Sequence, residues 1–319
     1  MAVIGIDLGG TKLATAVFTG DGKVLRKDIV PLRGRVGRAI GRLISARVKE
    51  SLAKAGKQNL RVEAIGICVP GIVNQQTGRV WAPNIPGWED YPLRAEIISS
   101  LKDQDICIVV DNDRAACILG EVWHGAARGS RNAIFLAVGT GIGAGILVDG
   151  QVLRGAQDIA GAIGWLGLSR PLHPVYEGCG DFEYHASGAG LAKVAASLVS
   201  QMPDYGGLLR RKRELTTHDV FDAYDAGDPV ASHVLHTAVE YWGMASANLV
   251  SLFNPEKIIF GGGVFGPATR FLVNIRAEAK KWAQPIAMRR VKFAAAQLGG
   301  DAGLYGAAYL ALRSLRGSR

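Results

Sequence analysis

Two glycine-rich turns far apart in the chain carry residues suited to chemistry: Asp7-Leu8-Gly9-Gly10-Thr11-Lys12 and Gly139-Thr140-Gly141-Ile142-Gly143. Glycines in a turn let several backbone N–H groups converge on one anion, and Thr11 and Lys12 can add donors of their own. The first turn lacks the Gly-x-x-x-x-Gly-Lys-Ser/Thr spacing of a P-loop, and a single glycine hairpin is ordinary turn chemistry. Two of them in corresponding positions are what a nucleotide held between two lobes requires. A third cluster, Gly261-Gly262-Gly263, follows the apolar run Lys257 to Phe260. A short apolar strand, Ile106 to Val110, stops at Asp111-Asn112-Asp113, and carboxylates at the carboxyl end of a buried strand are well placed to meet a ligand. On these residues alone Asp113 has two readings, a proton-accepting base or the N-cap of the helix that follows it.

The elements that must position these groups are legible as periodicities. Val3 to Asp7 and Leu13 to Phe18 read as strands flanking the first glycine turn, with Asp21-Gly22 as a tight turn beyond. Val36 to Ala55 has apolar residues at three- and four-residue spacing (Ile40, Leu43, Ile44, Val48, Leu52), which predicts an amphipathic helix. Val62 to Val69 reads as a strand and Ala115 to His124 as a helix. The opening pattern then recurs: strand Ala133 to Val138, glycine turn, strand Ala144 to Val148, turn Asp149-Gly150. A long helix over Pro229 to Leu252 and a closing helix over Ala302 to Leu315 complete the reading. The recurrence predicts two related α/β domains facing a cleft. The expected boundaries are 1–115, completed by the terminal helix 302–319, and 116–301.

The chain has 319 residues, 48% of them hydrophobic and 20% charged, which suits a folded two-domain protein. A net charge of +9 favours anionic ligands such as nucleotides. Its basic runs, Arg33 to Arg38 and Arg210 to Arg213, lack interleaved aromatic residues or a nucleic-acid module and read as solvated surface, so no nucleic-acid partner is expected. Cys68, Cys107, Cys117 and Cys179 are widely separated, Met1 leads straight into an apolar strand, and no apolar run reaches about 18 residues. A cytoplasmic protein with no membrane partner is expected.

Asp7 to Lys12, Ala82-Pro83-Asn84, Asn112-Asp113, Gly139 to Gly143, Ser187-Gly188, Asn254-Pro255, Gly261 to Gly263 and Asp301-Ala302-Gly303 together resemble, in that order and nearly end to end, the ROK family of sugar kinases and sugar-responsive repressors. The resemblance implies a two-domain actin-like ATPase (ribonuclease H-like) fold and phosphoryl transfer from ATP with Mg²⁺ to a sugar. It implies that Asp113 is the base that deprotonates the attacking hydroxyl, and that Asn84, Asn112 and Glu183 hold the sugar. Asp7 would assist Mg²⁺ and phosphate positioning. The turns Gly9-Gly10-Thr11-Lys12 and Gly139-Thr140-Gly141 would cradle phosphate, and Gly261, Gly262 and Gly263 would let adenine and ribose approach the backbone. Homodimers are frequent in the family.

One segment departs from the family pattern. Where the family has Glu-x-Gly-His, this chain has Ala162-Ile163-Gly164-Trp165, and where it has a Cys-x-Cys-Gly-x-x-Gly-Cys zinc cluster, this chain has Tyr176 to Glu183 with Cys179 alone. His173, Cys179, Asp181 and His185 are all acceptable zinc ligands, yet their spacing matches no tetrahedral signature and no structural zinc is expected. Trp165, with Phe182 and Tyr184, is expected to fill the vacated space by packing, with stacking on a sugar face as the alternative. The expectation is therefore an ATP-dependent kinase for the 6-hydroxyl of glucose or a related aldohexose. The alternatives are an amino-sugar kinase (N-acetylglucosamine or N-acetylmannosamine), a polyphosphate-using kinase, or a non-catalytic sugar-binding regulator.

Overall fold

A computed structural model describes residues 1–101 and 105–317, so the last two residues of the expected terminal helix lie outside the described chain. Contacts divide the chain into two compact units, one of Met1–Gly129, Val152–Ala160 and Gln297–Arg319, the other of Ser130–Gln151 and Gly161–Ala296.

The first unit contains β1 (Ala2–Leu8), β2 (Lys12–Thr19), β3 (Val24–Pro31), α1 (Arg38–Lys57), β4 (Val62–Val69), a small ribbon of β5 (Ile72–Val73) and β6 (Val80–Trp81), α2 (Leu93–Leu101), β7 (Cys107–Asn112) and α3 (Asp113–His124). Its five-stranded sheet runs β3-β2-β1-β4-β7, antiparallel through the first three strands and parallel from β1 to β4 to β7. The second unit repeats this with β8 (Ala133–Val138), β9 (Ile142–Val148) and β10 (Gln151–Val152), then a helical stretch of α4 (Asp181–Ala186), α5 (Gly188–Gln201), α6 (Thr217–Asp225) and α7 (Pro229–Phe253), then β11 (Lys257–Gly261), α8 (Leu272–Trp282), α9 (Pro285–Arg290) and β12 (Lys292–Ala295). Its sheet order, β10-β9-β8-β11-β12, is the same third-second-first-fourth-fifth arrangement.

The recurrence seen in the sequence is thus a repeated topology. Asp149 and Gly150 both sit at positive φ, 50° and 79°, the two-residue turn that matches the twist of an antiparallel hairpin.

The last helix, α10 (Ala302–Gly317), returns to the first unit and covers β1, β4 and α3. Backbone meets backbone there. A Cβ on Gly66 would lie 1.8 Å from the Ala307 carbonyl oxygen, and one on Gly306 would lie 1.7 Å from that of Ala116. Only glycine permits this approach. Phe18 and Trp123 pack their rings on Tyr305 and Tyr309 of α10, at 5.0 Å between Phe18 and Tyr305 and 5.3 Å between Trp123 and Tyr309. The packing of α3 on α10 holds α3 in the first unit, so that unit runs on past the expected boundary at 115, and it takes in Val152–Ala160 as well.

Candidate active site

In the first unit, sheet register gathers polar residues at the carboxyl ends of the parallel strands. Asp7 of β1 lies opposite Cys68 of β4, and Cys68 lies opposite Asp111 of β7, so the three form one row across adjacent strands. The Cys68 Sγ donates to Asp7 Oδ1 at 2.9 Å. Burial raises the Asp7 carboxyl above its ordinary range, against the lowering effects of the Cys68 contact and Lys12, and it pushes the Cys68 thiol well up. Gly303, in the first turn of α10, leaves room for this carboxylate, since a Cβ there would lie 2.9 Å from Asp7 Oδ2. Gly9 closes the adjoining hairpin by donating to the Lys12 carbonyl at 3.0 Å, leaving Gly10, Thr11 and Lys12 exposed at its tip.

Strand β7 passes directly into α3, and the junction separates the two roles that the sequence left open for Asp113. Asn112 is the N-cap: its Oδ1 accepts from the Ala115 N–H at 2.9 Å. That leaves the Asn112 amide NH₂ for a ligand. Asp113 is the first residue of the helix, its Oδ1 accepting from the Arg114 N–H at 2.8 Å, and its side chain is open to solvent. Desolvation by the surrounding protein still raises its carboxyl, with Arg114 opposing and Asp7 adding to the rise. An accessible carboxylate with a raised pKa at a helix start has the properties of a general base. Asn84 is exposed on a tight loop in which Ala82 donates to the Trp88 carbonyl at 2.7 Å, and Trp88 Nε1 fastens that loop to the Gly37 carbonyl at 3.1 Å.

The second unit brings its candidates together around the other hairpin tip. Gly139 donates to the Gly141 carbonyl at 2.9 Å, and the Gly188 N–H donates to the Gly139 carbonyl at 2.8 Å, which seats the Ser187-capped start of α5 on the turn. Thr140 is exposed at the tip. Glu183 reaches the same hairpin, its Oε2 accepting from the Ile142 N–H at 2.6 Å, and burial raises its carboxyl. A Cβ on Gly141 or Gly164 would come within 2.7 Å or 2.9 Å of that oxygen. Gly262, at φ 89°, lies so close to the end of β8 that a Cβ would fall 2.3 Å from the Val138 carbonyl oxygen. Gly261, Gly262 and Gly263 therefore turn beside Gly139.

The residues considered for zinc are engaged with other partners. Among the described residues no group of three or more His, Cys, Asp or Glu could hold a metal ion. Asp181 Oδ2 accepts from the Leu168 and Ser169 N–H groups at 2.7 and 2.8 Å, and its Oδ1 accepts from the Ser169 hydroxyl at 2.9 Å and the Tyr241 hydroxyl at 3.2 Å. His185 Nε2 is paired with the Tyr176 hydroxyl at 2.9 Å, and exposed His173 uses Nδ1 to accept from the Val175 N–H. A hydrogen-bonded carboxylate thus organises this lobe. The packing expectation for Trp165 needs correction: Phe182 is fully buried and Tyr184 half-buried, but Trp165 is 60% exposed. The neighbourhood is closed by the Asp181 contacts and needs no indole.

Sequence reasoning missed three partners: the Cys68 thiol on Asp7, and Arg154 and Gln75 on Asp111, where Arg154 Nη1 and Nη2 reach the two carboxylate oxygens at 2.9 and 2.7 Å. Cys68 could have been found from strand register once β1 and β4 were paired. Nothing in the local sequence marks Arg154.

The chain is 34% identical over 318 residues to the glucokinase of Halalkalibacterium halodurans, covering 96% of this chain and 94% of that one. Among solved structures, a ROK hexokinase from Thermus thermophilus matches with a TM-score of 0.81 and 32% identity, over 99% of this chain and 100% of that one. A ROK family glucokinase from Streptomyces griseus, in complex with glucose and AMPPNP, matches with a TM-score of 0.76 and 31% identity, over 98% and 100%. The doubled five-stranded topology is that of the actin-like ATPases. The family model described as ROK family matches residues 3–314, and on that extent of agreement the chain belongs to the ROK family.

Proposed function

We propose that this protein is an ATP-dependent hexose kinase acting on the 6-hydroxyl of glucose or a related aldohexose. The observation that carries the reading is Asp113, a solvent-accessible carboxylate with a raised pKa, fixed at the start of α3 by the Asn112 cap and standing in the same unit as Asp7. The relatives named as glucokinases support the choice of substrate class. The homologue that holds glucose and AMPPNP supports ATP as the donor.

Phosphoryl transfer demands positioning and charge neutralisation more than covalent chemistry. The sugar hydroxyl gives its proton to the Asp113 carboxylate as its oxygen attacks the γ-phosphorus; the bond from that phosphorus to the bridging oxygen breaks, and ADP departs. Asn112, Asn84 and Glu183 hold the sugar. The turns Gly9-Gly10-Thr11-Lys12 and Gly139-Thr140-Gly141 receive the phosphates through the Gly10 and Gly141 N–H groups and the side chains of Thr11, Thr140 and Lys12, while the Gly9 and Gly139 N–H groups close the two tips, and Gly261 to Gly263 leave room for the nucleoside. Mg²⁺ would neutralise phosphate charge. Asp7 fits it, since a carboxylate raised by burial gains from a nearby cation and this ion needs only one or two protein carboxylates.

The setting proposed is the cytoplasm. The four free cysteines agree with a reducing compartment, and no helix among the described residues is long and apolar enough to cross a membrane.

The test is a coupled ADP-release assay over hexoses, amino sugars and ketohexoses, run in parallel with Asp113→Asn. Loss of a general base lowers kcat by about 10²–10⁴-fold. Glucose turnover by the amide variant at the parent's rate overturns the role of Asp113. Sugar binding without turnover of any sugar favours a regulator.

A further inference from the structure

The carboxylate beside the proposed base is one of the most enclosed charges in the protein. Asp111 is fully buried and immediately precedes Asn112 and Asp113. It accepts a two-pronged contact from Arg154, Nη1 to Oδ1 at 2.9 Å and Nη2 to Oδ2 at 2.7 Å. Two further donors converge on Oδ1: the Asn112 backbone N–H at 2.8 Å and Gln75 Nε2 at 3.3 Å. Gln75 Nε2 also lies 3.4 Å from the carbonyl oxygens of Val73 and Val110, which ties the small ribbon to β7.

Arg154 comes from far along the chain, in the short stretch Val152–Ala160 that belongs with the first unit. That stretch is closed on itself by the Ala160 N–H donating to the Arg154 carbonyl at 2.9 Å. Asp158 within it accepts from the Gln75 N–H at 3.5 Å. A closed loop therefore presents one guanidinium to one buried carboxylate. An isolated buried carboxylate is strongly destabilising, and an unneeded one at a strand end is readily replaced by an apolar residue of similar size. The planar arginine fork adds geometric specificity that a lysine lacks.

We propose that Arg154 is a positioning residue for phosphoryl transfer: by clamping Asp111, with Gln75 as a third donor, it fixes the β7–α3 junction and so the direction in which Asn112 and Asp113 face the sugar. The inference rests on the kinase reading above. Arg154 touches neither sugar nor nucleotide in this scheme, so its removal lowers kcat while leaving the KM for ATP alone. A misplacement of about 1 Å costs about 100-fold, and Arg154→Lys, which keeps the charge but loses the fork, is expected to lower kcat by about 10- to 100-fold.

The experiment measures kcat and both KM values for the parent, Arg154→Lys, Arg154→Ala with and without guanidinium chloride, and Gln75→Leu. Amide hydrogen exchange over residues 112–116 is followed in the same proteins. Support is a kcat loss in Arg154→Lys with the KM for ATP within twofold, at least tenfold faster exchange at the Ala115 amide held by the Asn112 cap, and partial recovery of Arg154→Ala by guanidinium. If the lysine variant does not fold, Gln75→Leu gives the same two readouts, with a loss of about two- to fivefold expected from its longer contact. Parent-like turnover of Arg154→Lys overturns the proposal, as does a kcat loss with unchanged exchange and no guanidinium rescue. Absence of hexose turnover in the parent sinks the kinase reading instead, and the exchange result still decides whether Arg154 orders the junction.

Discussion

Gly303→Ala tests the placement of Asp7 without touching a proposed ligand contact. Within α10 the substitution replaces a poor helix former with the best one, a gain of about 0.5–1 kcal/mol. The new methyl carbon, however, would stand 2.9 Å from Asp7 Oδ2 and 3.0 Å from its Cγ. An ordinary contact is about 3.5 Å, so the carboxylate must retreat by roughly half an ångström. It cannot do so freely, because its other oxygen accepts from Cys68 Sγ at 2.9 Å. If misplacing a phosphate-positioning group by about 1 Å costs about 100-fold, half that displacement costs about 10-fold in kcat. Gly300→Ala is the control, since a Cβ there meets nothing within 4 Å. A coupled ADP-release assay beside a thermal melt should find Gly303→Ala as stable as the parent or more so, about tenfold slower, and the control unchanged. Turnover within twofold of the parent, with Tm preserved, would refute the claim that the position of Asp7 matters to the reaction.

Other expectations follow from charge and burial. The proposed base works as the carboxylate and its pKa is raised, so turnover should fall, as pH is lowered, at a pH above the ordinary aspartate value of about 3.9, and a kcat–pH profile checks this. For the same reason the charged form of Asp113 costs the folded state stability, a cost that grows as pH rises from about 3.9 and is complete above the raised pKa; Asp113→Asn should raise Tm near neutral pH, with the gain disappearing below about pH 4. Asp181→Ala strands the Leu168 and Ser169 N–H groups and the Tyr241 hydroxyl, and chemical denaturation should show a loss of about 2–4 kcal/mol. A zinc chelator should leave the Tm of the parent unchanged, because hydrogen bonds to Asp181 organise the lobe.

Much of the first sheet and the start of the second was legible because central strands announce themselves. Val62–Val69 and Ala133–Val138 were read with their observed bounds, since central strands buried on both faces are near-continuous apolar runs, broken here only by Glu63 at the start of the first. The edge strand Val24–Pro31 went unread: Leu25, Arg26 and Lys27 are exposed in succession, only Val24, Asp28 and Val30 are half-buried, and its pairing with β2 decides what its own residues leave ambiguous. The glycine turns and the Asn112-Asp113 pair were visible as residue types at strand ends. Which of the two caps the helix was not, because that depends on where β7 stops. Trp165 was misjudged because a large aromatic beside lost ligands suggests filling, while the hydrogen bonds that do the closing come from Asp181, Ser169 and Tyr241, separated by up to 72 residues in the sequence. Arg154 was invisible for the same reason: contact with Asp111 spans 43 positions.

The return of α10 to the first sheet has a temporal consequence. During synthesis the apolar face formed by Val3, Ala64 and Phe18 emerges from the ribosome long before Leu304, Ala308 and Leu312, which cover it. The intervening second unit can condense while that face is still bare, and the amino-terminal half must wait, exposed, for the final helix to dock. The unit whose translation begins first is thus the last to be completed, since the second ends at Ala296.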